Sequence, residues 1–422
     1  MLDRSLVRFR LPLLGAVLLV GAAVFAYPTL SGADDDKGRR ADSDRKDDRD
    51  DDDRDCDRLD PVTLTFSTVG DSRQDDVAPD ETTKPVSAQD KIWLQNTKAW
   101  GRIIRSIEGA KSNFLFFNGD MIMGYGKASA PAATDVGTVV GSDLMKFYRQ
   151  YAFWRGMVAD LMERGTYVVP VPGNHETQSK PLGKKAQVEN EDAWRANMGD
   201  LILDPARFQA LFGEGPSATN TSGGLPTPDG LPTDQKQLSY SFDFRGSHFA
   251  VVNTDPVGSD AHAPTNWLKQ DLAAAMARGV KHNFVFGHKP AFTYYYGTPV
   301  APPAIALPGK ASGLDAAPGT TAARDAFWDV IEQYEATYFC GHEHIFNMMQ
   351  PRGAGHSWQV LVGSGGSPFE AKPTDVTIAP SDRDYAWANV RVRKSGKVEI
   401  RAYGFDDQFG PTHLIQKVKL AK

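Results

Sequence analysis

The sequence is poor in three things, and each shortage narrows its class. Cysteine is nearly absent: Cys56 and Cys340 are the only thiols. Cys56 stands in a charged run and Cys340 ends an apolar strand pattern, so a disulfide would tie a loose tail to a buried strand. Two free thiols are expected, and the count neither supports nor opposes an oxidising compartment. A basic face is missing as well. The formal net charge is −6, and the segment Asp34 to Asp60 alone, with 14 Asp against 8 Lys and Arg, carries that much. The remainder is close to balanced, so no nucleic-acid surface is expected. Apolar runs of membrane-spanning length are missing too: Leu11–Ala26 offers 16 residues, where a span takes about 20.

That run follows Arg4, Arg8 and Arg10 and ends in Val24-Phe25-Ala26, the small-x-small pattern of a signal-peptidase site, with Ser31-Gly32-Ala33 as a second candidate. Residues 1–33 are therefore expected to be a signal peptide, or a signal anchor if uncleaved. Either reading exports the protein: periplasmic or secreted if cleaved, tethered to the inner membrane by this segment if not. No Cys follows the run, which argues against a lipoprotein anchor, and no Arg-Arg pair precedes it, which argues against twin-arginine export. Residues 34–60 lack aromatics and nearly all apolar side chains, so a disordered Asp/Arg-rich linker is expected. Arg interrupts every Asp group and no Gly is placed to form a loop, which excludes a calcium tract.

What remains, residues 61–422, is rich enough in apolar and aromatic side chains for one large domain. Strands are expected at Val62–Val69, Phe114–Phe117 and Tyr167–Val171, separated by helices at Asp90–Glu108 and Asp143–Arg164. A hairpin is expected at Tyr240–Phe244 and His248–Val252, followed by a helix at Thr265–Arg278 and a strand at Asn283–Phe286. A helix at Arg324–Tyr334 and strands at Thr337–Cys340, Gln359–Val362, Tyr385–Arg393, Lys397–Tyr403 and His413–Leu420 complete the pattern. The Pro-, Gly- and Ala-rich stretch 297–320 reads as a surface excursion near the site. The rhythm is α/β with added antiparallel strands, and no linker divides it.

Five of these strands end in a turn that carries a metal-capable side chain: Gly70-Asp71, Gly119-Asp120, Gly173-Asn174-His175, Gly287-His288 and Gly341-His342-Glu343-His344. In α/β sheets ligands gather at the carboxyl ends of strands. A Gly before each ligand is expected to let the backbone turn sharply there. Asp, Asn and His together supply the oxygen and imidazole donors that suit Zn, Mn or Fe. Six donors exceed the needs of one tetrahedral ion, so two metals sharing a carboxylate fit better.

These motifs, in this order, resemble the calcineurin-like metallophosphoesterase family: Asp-x-His, Gly-Asp, Gly-Asn-His-Asp/Glu, a lone His, then Gly-His-x-His. The resemblance spans roughly residues 62–405 and implies an α/β/β/α sandwich of two mixed sheets flanked by helices. It implies two metal ions bridged by Asp120, the first also bound by Asp71 and His344, the second by Asn174, His288 and His342. It further implies that His175 faces the substrate and assists the leaving group, with Glu176 orienting its ring. Gly363-Ser364-Gly365-Gly366 matches the glycine-rich turn that follows the last His pair in relatives.

One position departs from the family. Its Asp-x-His is here Asp71-Ser72-Arg73. Purple acid phosphatases also lack that His and place a Tyr three residues after the bridging Asp, where this chain has Met123; Tyr125 lies two residues further on. A guanidinium stays protonated and cannot ligate a cation, yet it forks well onto phosphate oxygens, so Arg73 joins His175 and Glu176 as a candidate catalytic residue. Its bland alternative is a surface pair with Asp75 or Asp76. His248, His262, His282, His356 and His413 read as ordinary histidines, and Lys289 as a solvated side chain. Tyr294, Tyr295 and Tyr296 read equally well as a substrate wall or as loop packing. The expected activity is metal-dependent hydrolysis of a small phosphate ester, a monoester first. The alternatives are a diesterase or nucleotide hydrolase, and a non-catalytic metal- and phosphate-binding relative.

Overall fold

Phe114–Phe117 and Tyr167–Val171 are apolar in an unbroken run rather than alternately, the pattern of strands covered on both faces. Every residue of both is buried. The computed structural model describes residues 59–74, 88–132, 134–294, 313–314, 321–353, 357–369 and 378–420. The chain divides into units 1–50 and 51–422, and all described residues belong to the second. The expected signal segment, nearly all of the linker, and most of the excursion at 297–320 lie outside the described residues. Among the described residues no helix is long and apolar enough to cross a membrane.

In chain order the first elements are β1 (Val62–Val69), α1 (Ala88–Gly109), β2 (Phe114–Asn118), α2 (Val136–Val140), α3 (Asp143–Glu163) and β3 (Tyr167–Val171). There follow α4 (Asn174–Thr177), the small hairpin β4 (Gln178–Ser179) and β5 (Lys185–Ala186), α5 (Val188–Met198), α6 (Pro205–Phe212) and β6 (Ser217–Asn220). Next come β7 (Tyr240–Phe244), β8 (Ser247–Val251), α7 (Thr265–Ala277), β9 (His282–Phe286), α8 (Thr321–Gln333) and β10 (Thr337–Cys340). The chain closes with β11 (Phe346–Met349), β12 (Gln359–Val362), β13 (Tyr385–Arg393), β14 (Val398–Phe405) and β15 (His413–Leu420).

These strands form two large sheets, ordered β15-β14-β13-β1-β2-β3 and β11-β12-β10-β9-β8-β7-β6. β1, β2 and β3 are parallel neighbours in the first. β8, β9, β10 and β12 are parallel in the second. The margins are antiparallel, so both sheets are mixed. Phenylalanines fill the space between them. Phe116 stacks on Phe286 with ring centroids 3.8 Å apart, and Phe66 meets Phe284 edge-on at 4.9 Å. Offset and edge-to-face packing of this kind adds to area burial. Outside the first sheet, Trp100 of α1 stacks on Trp154 of α3. Outside the second, Trp267 of α7 and Trp328 of α8 belong to a separate buried cluster. The result is the expected α/β/β/α sandwich.

Parallel strands place their carboxyl ends on one edge. β1, β2 and β3 therefore deliver residues 71, 120 and 174 to one edge of the first sheet. β9 and β10 deliver residues 288, 342 and 344 to one edge of the second. Main-chain bonds join these edges: Gly70 N–H donates to Val362 O at 2.8 Å, and Gly365 N–H to Gly70 O at 2.9 Å.

Candidate metal centre

The turns at the strand ends are not made as expected. Of the five glycines that precede a ligand, Gly119 has a left-handed backbone (φ 80°), and the others do not. The strained conformations fall on candidate ligands themselves: Asp71 (φ 65°), Asp120 (φ 53°) and His342 (φ 75°). Such backbones cost about 1–3 kcal/mol each in a non-glycine residue and are held by the surrounding structure. The glycines serve close approach instead. A Cβ on Gly173 would lie 2.4 Å from Asp120 N, and one on Gly341 would lie 2.2 Å from Asp71 Oδ2.

All six candidate ligands converge. Asp120, His288 and His342 form one group of mutually close donor atoms, and Asp71, Asp120 and His344 form another, so Asp120 is common to both. In the first group His288 Nε2 lies 2.8 Å from Asn174 Oδ1, 3.0 Å from His342 Nδ1 and 3.2 Å from Asp120 Oδ1. In the second, His344 Nε2 lies 3.7 Å from Asp71 Oδ1. Asp71 Oδ2 also accepts from His342 N–H at 2.8 Å, which ties the two sheet edges at the site. The glycine turn at 363–366 packs on the same place: a Cβ on Gly363 would stand 3.2 Å from Asp71 Oδ2.

The protons on these rings can be assigned from their partners. His288 Nδ1 faces Asn118 O at 2.8 Å, His175 Nδ1 faces Met123 O at 2.6 Å, and His344 Nδ1 faces Pro368 O at 2.9 Å. A carbonyl only accepts, so each Nδ1 carries the hydrogen and each Nε2 presents a lone pair. Burial keeps these rings neutral: it lowers His288 and holds His342 and His344 well below the ordinary value. Burial and then the Arg73 charge push His175 down to about 3. Asn174 Nδ2 donates to Tyr125 Oη, which turns the amide oxygen inward. Burial would raise the Asp120 carboxyl, but its charged surroundings, with the permanent Arg73 charge among them, hold it well below the usual carboxylate range. At His288 Nε2, then, the lone pairs of that imidazole, the Asn174 amide oxygen and the Asp120 carboxylate meet without a hydrogen between them. Two buried atoms beside them, Asp120 Oδ2 and His175 Nε2, make no hydrogen bond among the described residues. A cation resolves that arrangement, so the residues fit a metal.

The other candidates divide. Arg73 reaches the site: its Nε is 3.5 Å from Asp120 Oδ2 and its side chain is 22% exposed. The alternative partners Asp75 and Asp76 lie outside the described residues, as do Tyr295, Tyr296 and His356. Glu176 does not orient the His175 ring. Its carboxylate accepts from the N–H groups of Asp120 (2.8 Å), Met121 (2.9 Å), Ile122 (3.2 Å) and Gly173 (2.8 Å). It therefore ties the β2 and β3 loops together, and the ring is held by Met123 O. Burial and the Asp120 charge push the Glu176 carboxyl up to about 8. Tyr125 packs on the His175 ring at 3.8 Å and bonds Asn174, so it stands beside the Asn174–His288 group and does not replace the missing imidazole. Tyr294 Oη donates to Asp382 Oδ2 at 2.8 Å, in keeping with loop packing.

Lys289 escaped the sequence reading, while His248, there an ordinary surface or strand histidine, takes the strand alternative. Lys289 is not solvated: it is 7% exposed, and its ammonium lies 2.7 Å from Asp255 Oδ1. Asp255 also accepts from Gln178 Nε2 at 2.9 Å, so Gln178, Asp255 and Lys289 brace the Asn174 loop against the His288 loop. His248 is no surface histidine. It is buried on β8, with Nδ1 2.6 Å from Asp243 and Nε2 2.9 Å from Asp271.

No curated protein matches the sequence. Among solved structures, purple acid phosphatase PPD1 from yellow lupin (Lupinus luteus) seeds is 12% identical with a TM-score of 0.49; the alignment covers 84% of this chain and 53% of that one. A dimetal phosphatase from Danio rerio is 10% identical with a TM-score of 0.44, over 85% and 99% of the two chains. GAP50, the anchor in the inner membrane complex of Plasmodium, is 13% identical with a TM-score of 0.42, over 85% and 88%. This chain thus spans about half the length of the lupin enzyme. A family model described as calcineurin-like phosphoesterase matches residues 93–346, more than half of the chain. With the motif order of the sequence and the convergence of its ligand-capable side chains, that match places this chain in the calcineurin-like phosphoesterase family.

Proposed function

We propose that this protein hydrolyses small phosphate esters, monoesters first, outside the cytoplasm, with Mn, Zn or Fe ions in the two donor groups that share Asp120. Asp71, Asp120 and His344 would hold one ion; Asp120, Asn174, His288 and His342 would hold the other. The observation that carries the reading is the meeting of lone pairs at His288 Nε2, 2.8 Å from the Asn174 amide oxygen and 3.2 Å from the Asp120 carboxylate, with His342 Nδ1 3.0 Å away. When bound, such ions polarise a phosphoryl oxygen and acidify a water enough to ionise near neutral pH.

The chain's own residues do the rest. Arg73, partly exposed beside Asp120, is placed to fork onto a phosphate oxygen pair. His175 presents Nε2 to the pocket as an acceptor, because Nδ1–H is committed to Met123 O. It must therefore take up a proton before it can give one to a leaving oxygen. The N-terminal sequence supports export, with the segment 1–33 as signal peptide or inner-membrane tether. A small phosphate ester is the partner this reading requires.

One observation favours a second reading: the guanidinium stands where relatives place an imidazole ligand. A binding protein that holds metal and phosphate without turnover would tolerate that exchange. Hydrolysis of p-nitrophenyl phosphate and its bis-ester, after loading with Mn, Zn or Fe and with metal content measured, separates the readings. Metal-dependent turnover is expected, faster on the monoester; faster turnover of the bis-ester makes the protein a diesterase. A metal-loaded chain that turns over neither ester is the non-catalytic relative.

A further inference from the structure

The two donor groups are not equivalent. The group around His288 has four donors, and the contacts from its Nε2 to the other three measure 2.8, 3.0 and 3.2 Å. The group around Asp71 has three, with Asp71 and His344 3.7 Å apart. Between them the Asp120 carboxylate is divided. Oδ1 faces His288 at 3.2 Å and accepts from His175 N–H at 3.0 Å, while Oδ2, which makes no hydrogen bond among the described residues, faces Arg73 Nε at 3.5 Å and the neutral His175 Nε2 at 3.6 Å. The oxygen that the Asp71–His344 group needs is thus the one a fixed positive charge already approaches.

The backbone roots that side chain beside Asp120. Arg73 has φ 44°, and its N–H donates to Asp120 O at 2.8 Å. On its far side Gln74 N–H donates to Met121 O at 2.8 Å and Met123 N–H to Gln74 O at 3.0 Å. The segment 71–74 is therefore laced to 119–123, and the Arg73 Cα cannot withdraw without undoing that lacing. A divalent ion bound by Asp71, Asp120 and His344 would sit within a few ångström of the guanidinium, where like charges repel strongly because the site is buried.

We propose that Arg73 is a resident cation of this centre: it neutralises Asp120 Oδ2, so the His288 position fills first and tightly and the Asp71 position fills last and weakly. The inference rests on the metal reading above and adds an order of filling to it. An occupied site would then hold one strongly bound ion with an arginine beside it, and a second ion only at high metal concentration.

The test is titration of the metal-free full chain with Mn²⁺, followed by calorimetry and by electron paramagnetic resonance. The wild type is expected to take one equivalent at least tenfold more tightly than the second, with the spectrum of an isolated ion at one equivalent. Arg73→Met is expected to tighten the second equivalent at least tenfold and to bring on the exchange-coupled signal of an ion pair near two equivalents. His344→Ala should remove only the weak equivalent, and His342→Ala should weaken the tight one, which assigns the positions even if the Arg73 variant folds poorly. Two equivalents of equal affinity in the wild type, loss of the tight equivalent in His344→Ala, or an unchanged weak one in a folded Arg73→Met protein overturns the proposal. Absence of stoichiometric Mn²⁺ binding in every protein overturns the metal reading itself, and this inference with it.

Discussion

Replacing Lys289 by Met tests whether the ion pair behind the site braces it. The ammonium lies 2.7 Å from Asp255 Oδ1, and the two side chains are 9% and 1% exposed. Removing one member of a buried pair costs about 3–5 kcal/mol, chiefly because the other charge is left in low dielectric. Asp255 would keep two donors, Gln178 Nε2 and Ala261 N–H, both at 2.9 Å, which places the loss at the lower end, ~3 kcal/mol. At about 2 °C per kcal/mol for a domain of this size, the melting temperature should fall by ~6 °C. Asp255→Asn in the same chain should restore a large part of it, a coupling of at least ~1 kcal/mol for groups in contact. Thermal and urea unfolding followed by tryptophan fluorescence measure both. A loss under ~1 kcal/mol for Lys289→Met, or strict additivity of the two changes, would refute the argument that Lys289 and Asp255 brace the site.

Arg73→Ala should lower kcat/KM for the preferred ester by a factor of about ten or more, ~1.4 kcal/mol of transition-state stabilisation; unchanged kinetics on both ester classes would show that Arg73 does not clamp phosphate. His248 should make stability depend on pH. Burial opposes its charge, but Asp243 and Asp271 raise its pKa above the ordinary 6.5. Its contribution is therefore complete below pH 6.5 and fades as pH rises through the higher folded value. Urea midpoints between pH 5.5 and 9 should show that decline in wild type and a flatter curve in His248→Asn. A chain that begins at Leu59 should fold and keep its metal-dependent activity, since β1 begins at Val62 and Asp60 still caps the β13–β14 turn through Ser395 N–H at 2.9 Å. Failure of that chain to fold would give the acidic tract a structural role.

The parts of the fold that were legible in the sequence are those whose pattern is local. Val62–Val69, Tyr167–Val171, Thr337–Cys340 and Tyr385–Arg393 are strands with the expected bounds, because each is rich in β-branched and aromatic side chains, in apolar runs or in alternation with polar ones. α5 was missed for the opposite reason. Its sequence VENEDAWRANM is mostly polar, and it buries Asn190 and Glu191 along with Trp194. Their partners, such as Gln235 for Glu191 at 3.4 Å, come from distant segments. The six ligand candidates were legible because each follows a strand in a short motif. What Glu176 and Lys289 do was not, because their partners lie in loops that only the folded chain brings near. Neither was the backbone strain at Asp71, Asp120 and His342, since sequence suggested that the adjacent glycines would absorb it.

The donor groups draw evenly on the two layers of the sandwich: Asp71, Asp120 and Asn174 come from the edge of one sheet, His288, His342 and His344 from the edge of the other. Between the layers lies a seam of phenylalanine rings, held by apolar contact that has no fixed direction. A cation in this centre acts on that seam as a rivet. Neither layer can slide or peel from its neighbour at this end without breaking bonds to the ion, so the two sheets must loosen together. Resistance to unfolding then becomes a function of the metal supply, growing by about 2.7 kcal/mol when free metal stands a hundredfold above its dissociation constant. On the function proposed above, the rivet and the chemistry would share the same atoms, so withholding the ion would both silence the protein and soften it.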